Sequence, residues 1–178
     1  SAVLDRDGLS QDMSDAMIRL AKDIQSDFEL TELLIRSVDS RAPGSALSPA
    51  FFEAASTISS DFERKRVLTA AARRSGGNQA LLDQVLQSIG EIESNFERAE
   101  VLRAVAAEYP PNQPLPATYV QAASSMSGSF EQRGVLVSVL ERQPSPATVA
   151  SLLEAAGEIS SDFERAEFLV AVARKTTL

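Results

Sequence analysis

The sequence predicts an all-α protein: an α-solenoid, right- or left-handed, built from five tandem two-helix hairpins of about 34 residues. A four-residue phrase such as Ser-Asp-Phe-Glu occurs five times, and its phenylalanines follow at steps of 34, 34, 34 and 33 residues: Phe28, Phe62, Phe96, Phe130 and Phe163. A fixed period of this size is typical of repeat proteins, whose units bury their apolar faces by stacking on neighbours. Between the phrases, apolar residues recur at steps of three and four, the period of an amphipathic helix.

We interpret residues 1–178 as a single solenoid domain. Val3-Leu4-Asp5-Arg6 is similar to Val139-Leu140-Glu141-Arg142, so we interpret residues 1–7 as the tail of a truncated upstream repeat and the chain as a piece of a longer protein. The repeats then cover roughly residues 8–42, 43–77, 78–110, 111–144 and 145–178. Pro and Gly, which end helices, close the units, for example at Pro43-Gly44 and Gly76-Gly77.

Each unit is predicted to hold two helices. Helix A precedes the phrase and carries an Ile or Met four residues before each Phe: Ile24, Ile58, Ile92, Met126 and Ile159. Helix B begins at the phrase. Five and six residues beyond its Phe it carries an apolar pair: Leu33-Leu34, Val67-Leu68, Val101-Leu102, Val135-Leu136 and Phe168-Leu169. These positions are expected to form the buried faces of the two helices.

The phrase itself has the pattern of a capping box. In Ser-x-x-Glu, the Ser oxygen accepts the N–H of the Glu, and the Glu side chain accepts the N–H of the Ser. Four copies keep the Ser, and Gly128 replaces it in the fourth unit. Each Ser cap is expected to contribute about 1 kcal/mol. Both halves of the box would then be satisfied within one unit.

The recurrent Phe occupies the same place in every unit, which favours a packing role. We therefore expect the five rings to be core wedges between successive hairpins. On that interpretation Phe96→Ala would cost on the order of 3 to 5 kcal/mol.

Composition narrows the possible functions. The chain has no Cys and no His, which removes disulfides, thiolate chemistry and the commonest general base and metal ligand, so no catalytic, cofactor or metal site is predicted. A catalytic site would need carboxylates such as Glu91, Glu93 and Glu100 to converge in a cleft. The formal net charge of −8 makes nucleic acid an improbable partner. No apolar run approaches the roughly 20 residues of a membrane span.

Binding residues are sought where the repeats differ. Positions 3, 4, 7 and 11 beyond the Phe form one stripe on helix B, opposite most of its apolar positions. The candidates for partner binding on this stripe are Lys65, Arg66, Thr69, Arg73, Arg103, Arg133 and Val137. Such a local basic zone on an acidic protein favours an acidic or phosphorylated protein or peptide. The alternative is a solvated face whose charges only maintain solubility.

An Arg recurs two residues beyond the Phe, in three of the units. Arg64, Arg98 and Arg165 stand next to the Glu of the phrase. We expect them to pair with Asp61, Asn95 or Asp162 of neighbouring units. Exposed pairs of this kind contribute about 0 to 1 kcal/mol each.

The segment Ser160 to Arg165, followed by Phe168-Leu169, resembles HEAT-like helical repeats. The unit length equals that of tetratricopeptide repeats, but their Trp, Leu-Gly and Tyr pattern is missing. The resemblance implies a bacterial protein. Repeats of this kind are associated with bacterial proteins, among them the extracytoplasmic regions of membrane-bound sensor or peptidase-like proteins. The compartment stays open between the cytoplasm and the extracytoplasmic side of a bacterial envelope.

These features together favour a non-catalytic scaffold that binds a protein or peptide and is a module of a larger bacterial protein. The alternative is a nucleic-acid-binding HEAT-like solenoid that uses the local basic residues Lys65, Arg66, Arg73, Arg74 and Arg103. Solenoid ends normally carry a polar outer face, yet the last unit reads Phe168-Leu169-Val170-Ala171-Val172-Ala173. Either more sequence follows in the full protein, or the chain self-associates through its C-terminal repeat.

Overall fold

A computed structural model describes residues 6–21, 23–110, 113–142 and 144–176. These residues form ten α-helices and no strand, which confirms the all-α prediction for the described part of the chain. The helices are α1 (Arg6–Ala21), α2 (Asp27–Asp39), α3 (Pro49–Ser56), α4 (Asp61–Arg73), α5 (Gln79–Ile89), α6 (Asn95–Glu108), α7 (Ala117–Ser124), α8 (Ser129–Leu140), α9 (Pro146–Gly157) and α10 (Asp162–Thr176). Within these ranges, no helix has the length and apolar character that crossing a bilayer requires.

The helices pack in chain order. We call α1, α3, α5, α7 and α9 the A helices, and α2, α4, α6, α8 and α10 the B helices. Each A helix contacts the next A helix, and each B helix contacts the next B helix. Each A helix also contacts the B helix that follows it. Among the described residues, packing joins only helices that are one or two places apart in the chain order.

The two sides of this packing share one apolar cluster that extends from Ile18 on α1 to Val172 on α10. The residues six beyond the first four phenylalanines are fully buried in it: Leu34, Leu68, Leu102 and Leu136. Burying a side chain of this size contributes about 1.5 to 3 kcal/mol. The predicted apolar face of helix B is therefore the buried face in the first four units, whereas in the fifth the expectation is wrong for Leu169, which is 46% exposed.

The position of α1 affects the predicted boundary between the upstream tail and the first repeat. Residues 1–5 of the predicted upstream tail lie outside the described residues. Arg6 and Asp7 are the first two residues of α1, so a boundary after residue 7 would fall within this helix.

The prediction that the five phenylalanines are core wedges is wrong. Their exposed fractions are 54% for Phe28, 52% for Phe62, 58% for Phe96, 63% for Phe130 and 69% for Phe163. Each Phe is the second residue of its B helix, and at about 100° per residue it points away from the buried positions five and six residues further on. The apolar core is formed by buried side chains at those positions and by others such as Ile58, which is fully buried.

Candidate partner-binding surface

Five exposed phenylalanine rings occur at one equivalent position of the five B helices. We call Phe28, Phe62, Phe96, Phe130 and Phe163 the phenylalanine row. Because successive B helices are in contact, the rings follow one another along the same side of the molecule. Each is at least half exposed, which is unusual for a large apolar side chain repeated five times.

The Ser of the phrase caps its own helix, as predicted. Ser26 Oγ accepts the N–H of Glu29 at 3.3 Å, and Ser60 Oγ accepts the N–H of Glu63 at the same distance. Equivalent bonds start α6 and α10. Gly128 makes no side-chain bond, so α8 lacks this cap.

The other half of the predicted capping box is wrong for the second and third units. The Ser60 amide donates to Asp27 Oδ2 of the preceding unit at 2.8 Å, and the Ser94 amide donates to Asp61 Oδ2 at 2.7 Å. In the last unit the Ser161 amide donates to Ser129 Oγ at 3.2 Å. In three units the residue before the Phe, which is Asp27, Asp61 or Ser129, thus accepts the Ser amide of the next unit and holds the next phrase in register.

This link predicts a pH dependence of stability. The Ser59 hydroxyl, which donates to Asp27 at 2.6 Å, lowers the pKa of this carboxyl below its ordinary value of 3.8, and the Ser59 and Ser60 amides act in the same direction. Since the folded state lowers the pKa, ionised Asp27 stabilises the fold above about pH 4, and the contribution is lost as pH falls through the folded-state pKa. We expect Asp27→Asn to lower the free energy of unfolding at pH 7 and to lower it by less at about pH 3.

Urea unfolding at the two pH values measures this difference. Asp39→Asn is the matched control, because it makes the same charge change at an exposed residue. If Asp27→Asn lowers the free energy of unfolding equally at both pH values, the charge has no role. The side chain would then stabilise the fold through its shape alone.

Cations hold three of the rings in place. Lys65 Nζ lies 4.4 Å from the centre of the Phe62 ring and 3.1 Å from Glu97 Oε2 of the next unit. Arg133 repeats the arrangement, with its Cζ 5.3 Å from the Phe130 ring and its Nε 2.6 Å from Glu164 Oε2. In the third and fifth units the Glu of the phrase therefore receives a cation from the preceding unit.

Arg66 contacts the preceding unit, whereas Lys65 and Arg133 contact the following one. Its guanidinium donates to Glu32 of the preceding unit at 2.6 Å and to Glu63 at 2.8 Å, and its Cζ lies 5.9 Å from the Phe28 ring. The hydrogen bond that Arg66 donates to Glu32, followed by the one it donates to Glu63, raises the pKa of Arg66 above its ordinary value. Arg66 therefore stays charged and committed to these carboxylates.

Some of the remaining predicted binding residues contact other residues of the protein, and others are exposed to solvent. Arg103 pairs with Glu100 at 2.6 Å, Val137 packs against the core, and Thr69 is half-buried. Arg73 is exposed. The predicted stripe thus surrounds the phenylalanine row on the B helices, but four of its five cations are already paired with carboxylates. Whether it binds a partner stays a prediction.

The predicted pairing of the Arg two residues beyond the Phe is wrong for Arg64 and Arg165. Arg64 is 9% exposed and donates to the backbone carbonyls of Ser56 and Ile58, at the end of its own helix A, and to that of Glu91 in the next unit. Arg165 donates to the Ile159 carbonyl, with its Nε at 3.1 Å. These side chains close the turn between the A and B helices, since carbonyls at a helix end need donors.

Arg98 takes a different position. It lines a groove of about 250 Å³ between α5, α6 and α7, together with Leu86, Ile89, Thr118 and Gln121. Among the described residues, no hydrogen-bond acceptor meets its buried Nε. No group of three or more acidic side chains in the described ranges comes close enough to hold a metal ion.

Sequence reasoning missed the phenylalanine row, although the helical period contained the signal. Positions 2, 5, 6 and 9 beyond the Phe lie on one side of helix B, and the Phe lies opposite them in the middle of the predicted stripe. Because the Phe recurs in all five units, the repeat pattern predicts a role in core packing. Its position on helix B, opposite the apolar residues, instead indicates that the ring lies at the surface. Comparisons with protein-family models, curated protein sequences and solved structures found no match to this chain.

Proposed function

We propose that this chain is an α-solenoid of five two-helix units that acts as a non-catalytic scaffold and binds an extended protein or peptide segment along the phenylalanine row. The ordered contacts between successive A helices and between successive B helices support the solenoid. The observation that carries the binding role is the exposure of all five rings. The resemblance to HEAT-like repeats extends the proposal to a module of a larger bacterial protein, in the cytoplasm or in the envelope.

Exposed phenylalanine favours a binding role because the fold does not need it at this place. A polar side chain would serve equally at the solvent-facing second position of a helix, where the ring leaves more than half of its area in water. Aromatic side chains are enriched at the centres of protein interfaces and supply much of the binding energy there. A row of five therefore offers a long apolar contact surface.

The cations beside the rings prepare them for binding. Lys65 lies between the Phe62 ring and Glu97, and Arg133 lies between the Phe130 ring and Glu164. The carboxylate restricts the cation on one side, and the cation in turn restricts the ring before any partner arrives. Binding then costs less conformational entropy than it would for a mobile aromatic side chain.

The geometry favours an apolar, extended partner. Packed helices lie about 8 to 10 Å apart, and a polyproline II segment repeats its side-chain direction every three residues, or about 9 Å. An apolar residue at every third position would therefore meet successive rings. An acidic or phosphorylated partner gains less, because Lys65, Arg66, Arg103 and Arg133 already have carboxylate partners.

Single-stranded nucleic acid is the alternative, since proteins that bind it also combine exposed rings with cations. The paired state of Lys65 and Arg66 and the net charge of −8 oppose it.

Selection from a displayed random-peptide library tests the proposal. We expect the protein to enrich peptides with an apolar residue at every third position. The double variant Phe62→Ser, Phe96→Ser should bind the enriched peptides at least about thirtyfold more weakly, because even one aromatic anchor of this kind contributes about 2 kcal/mol or more. Fluorescence anisotropy with a labelled enriched peptide measures the affinity.

Leu20→Ser is the matched control, because it removes an exposed apolar side chain outside the row and should leave the affinity unchanged. Equal binding by the double variant, or a library that yields no binder, would overturn the proposal. Selected peptides that are acidic and that lose binding with Lys65→Glu would favour the basic stripe instead. Low-salt binding of a labelled oligonucleotide, abolished by Lys65→Glu with Arg66→Glu, would favour nucleic acid.

A further inference from the structure

Three units carry an Arg two residues beyond the Phe, and one of these side chains lacks the contacts of the other two. Arg64 and Arg165 donate to backbone carbonyls at the end of their own helix A. Arg98 instead lines the groove of about 250 Å³ between α5, α6 and α7. In the part of the chain that the structure describes, no acceptor meets its buried Nε. The guanidinium of Arg98 is therefore available to a ligand in this groove.

The groove lies where the preceding unit binds its own Arg. Arg64 donates to the carbonyls of Ser56 and Glu91. The residues that follow these two by one repeat of 34 positions are Gly90 and Ser125, and both line the groove. One unit earlier, the equivalent place thus holds a guanidinium that is bonded to oxygen atoms. In the third unit the cation is present, but the carbonyl bonds are not made.

One wall of the groove is apolar. It is formed by Leu86, Ile89 and Ala122, and we call these three residues the apolar wall. Ligand pockets commonly combine such a wall with a few polar groups that fix the orientation of the ligand. The groove is larger than the cavity of roughly 150 Å³ that accommodates benzene, so a short apolar chain fits beside the wall.

The charges at the groove favour a ligand with one negative charge. The paired N–H groups of a guanidinium match the two oxygens of a carboxylate. A phosphate monoester carries nearly two negative charges near pH 7. Asp83, which accepts a hydrogen bond from the groove residue Thr118 at 2.9 Å, would repel such a group more strongly, and the net charge of −8 acts in the same direction. A carboxylate is therefore the better match for Arg98.

We propose that the groove between α5, α6 and α7 binds a small monocarboxylate with an apolar chain, in which Arg98 pairs with the carboxylate and the apolar wall covers the chain. Binding is favourable because the carboxylate supplies the acceptor that the buried Nε of Arg98 lacks within the protein. The site lies between the third and fourth units, and it does not depend on the phenylalanine row.

Titration with octanoate, followed by NMR, tests the proposal. We expect one saturable site with a dissociation constant of about 1 mM or below. The Nε–H resonance of Arg98 and the backbone amides of Gly90 and Ser125 should shift together. Arg98→Gln should weaken binding at least about tenfold, because it removes the charge and the paired N–H groups. Arg73→Gln makes the same change at an exposed residue and should bind octanoate like the wild type.

A second variant blocks the groove and leaves the cation in place. Ser125 is exposed and lines the groove, so Ser125→Phe should keep the urea midpoint of the wild type and abolish octanoate binding. The double variant Phe62→Ser, Phe96→Ser should bind octanoate like the wild type. Loss of octanoate binding in that double variant would place the ligand on the phenylalanine row and overturn the proposal.

Two further probes examine the head group of the ligand. Binding of 1-octanol as tight as that of octanoate would show that the charge of Arg98 has no role. Tighter binding of octyl phosphate would contradict the choice of a carboxylate. Either result would overturn the proposal, as would octanoate binding that does not saturate or that leaves the Arg98 resonance unchanged.

Discussion

Leu102→Ala is expected to lower the free energy of unfolding by about 2 to 5 kcal/mol, whereas Phe96→Ala in the same helix should lower it by less than about 1 kcal/mol. Leu102 is completely buried, so its truncation leaves a cavity among side chains of neighbouring helices. Phe96 is 58% exposed, so truncation removes little buried area. The smaller side chain is therefore expected to carry the larger cost.

Urea unfolding monitored by far-UV circular dichroism measures both values. A cost for Phe96→Ala as large as that for Leu102→Ala would mean that the rings are buried in solution. The phenylalanine row would then be part of the core, and the proposed binding surface would lose its basis. The comparison therefore tests the stability argument and the functional proposal through the same two variants.

Arg64→Ala is expected to cost about 3 kcal/mol, which is large for a charged residue. Its guanidinium is buried and serves the carbonyls of Ser56, Ile58 and Glu91, so removing it leaves three backbone acceptors without their donor. Arg73→Ala makes the same charge change at an exposed residue and should cost less than about 0.5 kcal/mol.

Two further substitutions separate the contributions at Arg64. Arg64→Met keeps an apolar stem, and Arg64→Lys keeps the charge, but neither can donate to carbonyls in three directions from one planar group. We expect both variants to remain close to Arg64→Ala in their urea midpoints. Full recovery by Arg64→Met would show that packing of the stem, and not hydrogen bonding, gives the residue its importance.

The residues of the four-residue phrase make both local contacts and contacts with neighbouring helices. Its Ser caps its own helix, the residue before Phe serves the following unit, and the Glu receives a cation from the preceding unit in two cases. One short segment thus combines a local role with two long-range roles. Because neighbouring units are coupled in this way, a change in the phrase is expected to act on a junction as well as on one helix.

The sequence by itself determined that the chain is helical and where B helices start. Ser60 and Ser94 cap α4 and α6 as predicted, because a cap depends on atoms only three residues apart in the chain. The apolar period likewise identified Leu68 and Leu102 as buried, because one helix face follows from about 3.6 residues per turn.

Only the tertiary structure decided the partners of the polar residues. Arg64 bonds to a carbonyl 27 residues away, Ser60 to a carboxylate 33 residues away, and Arg66 to one 34 residues away. Each hydrogen-bond partner depends on which helices pack side by side and on their register. A local sequence pattern does not specify this packing. The exposure of the phenylalanine row has the same origin, because other apolar side chains form the core between packed helices and leave the five rings in water.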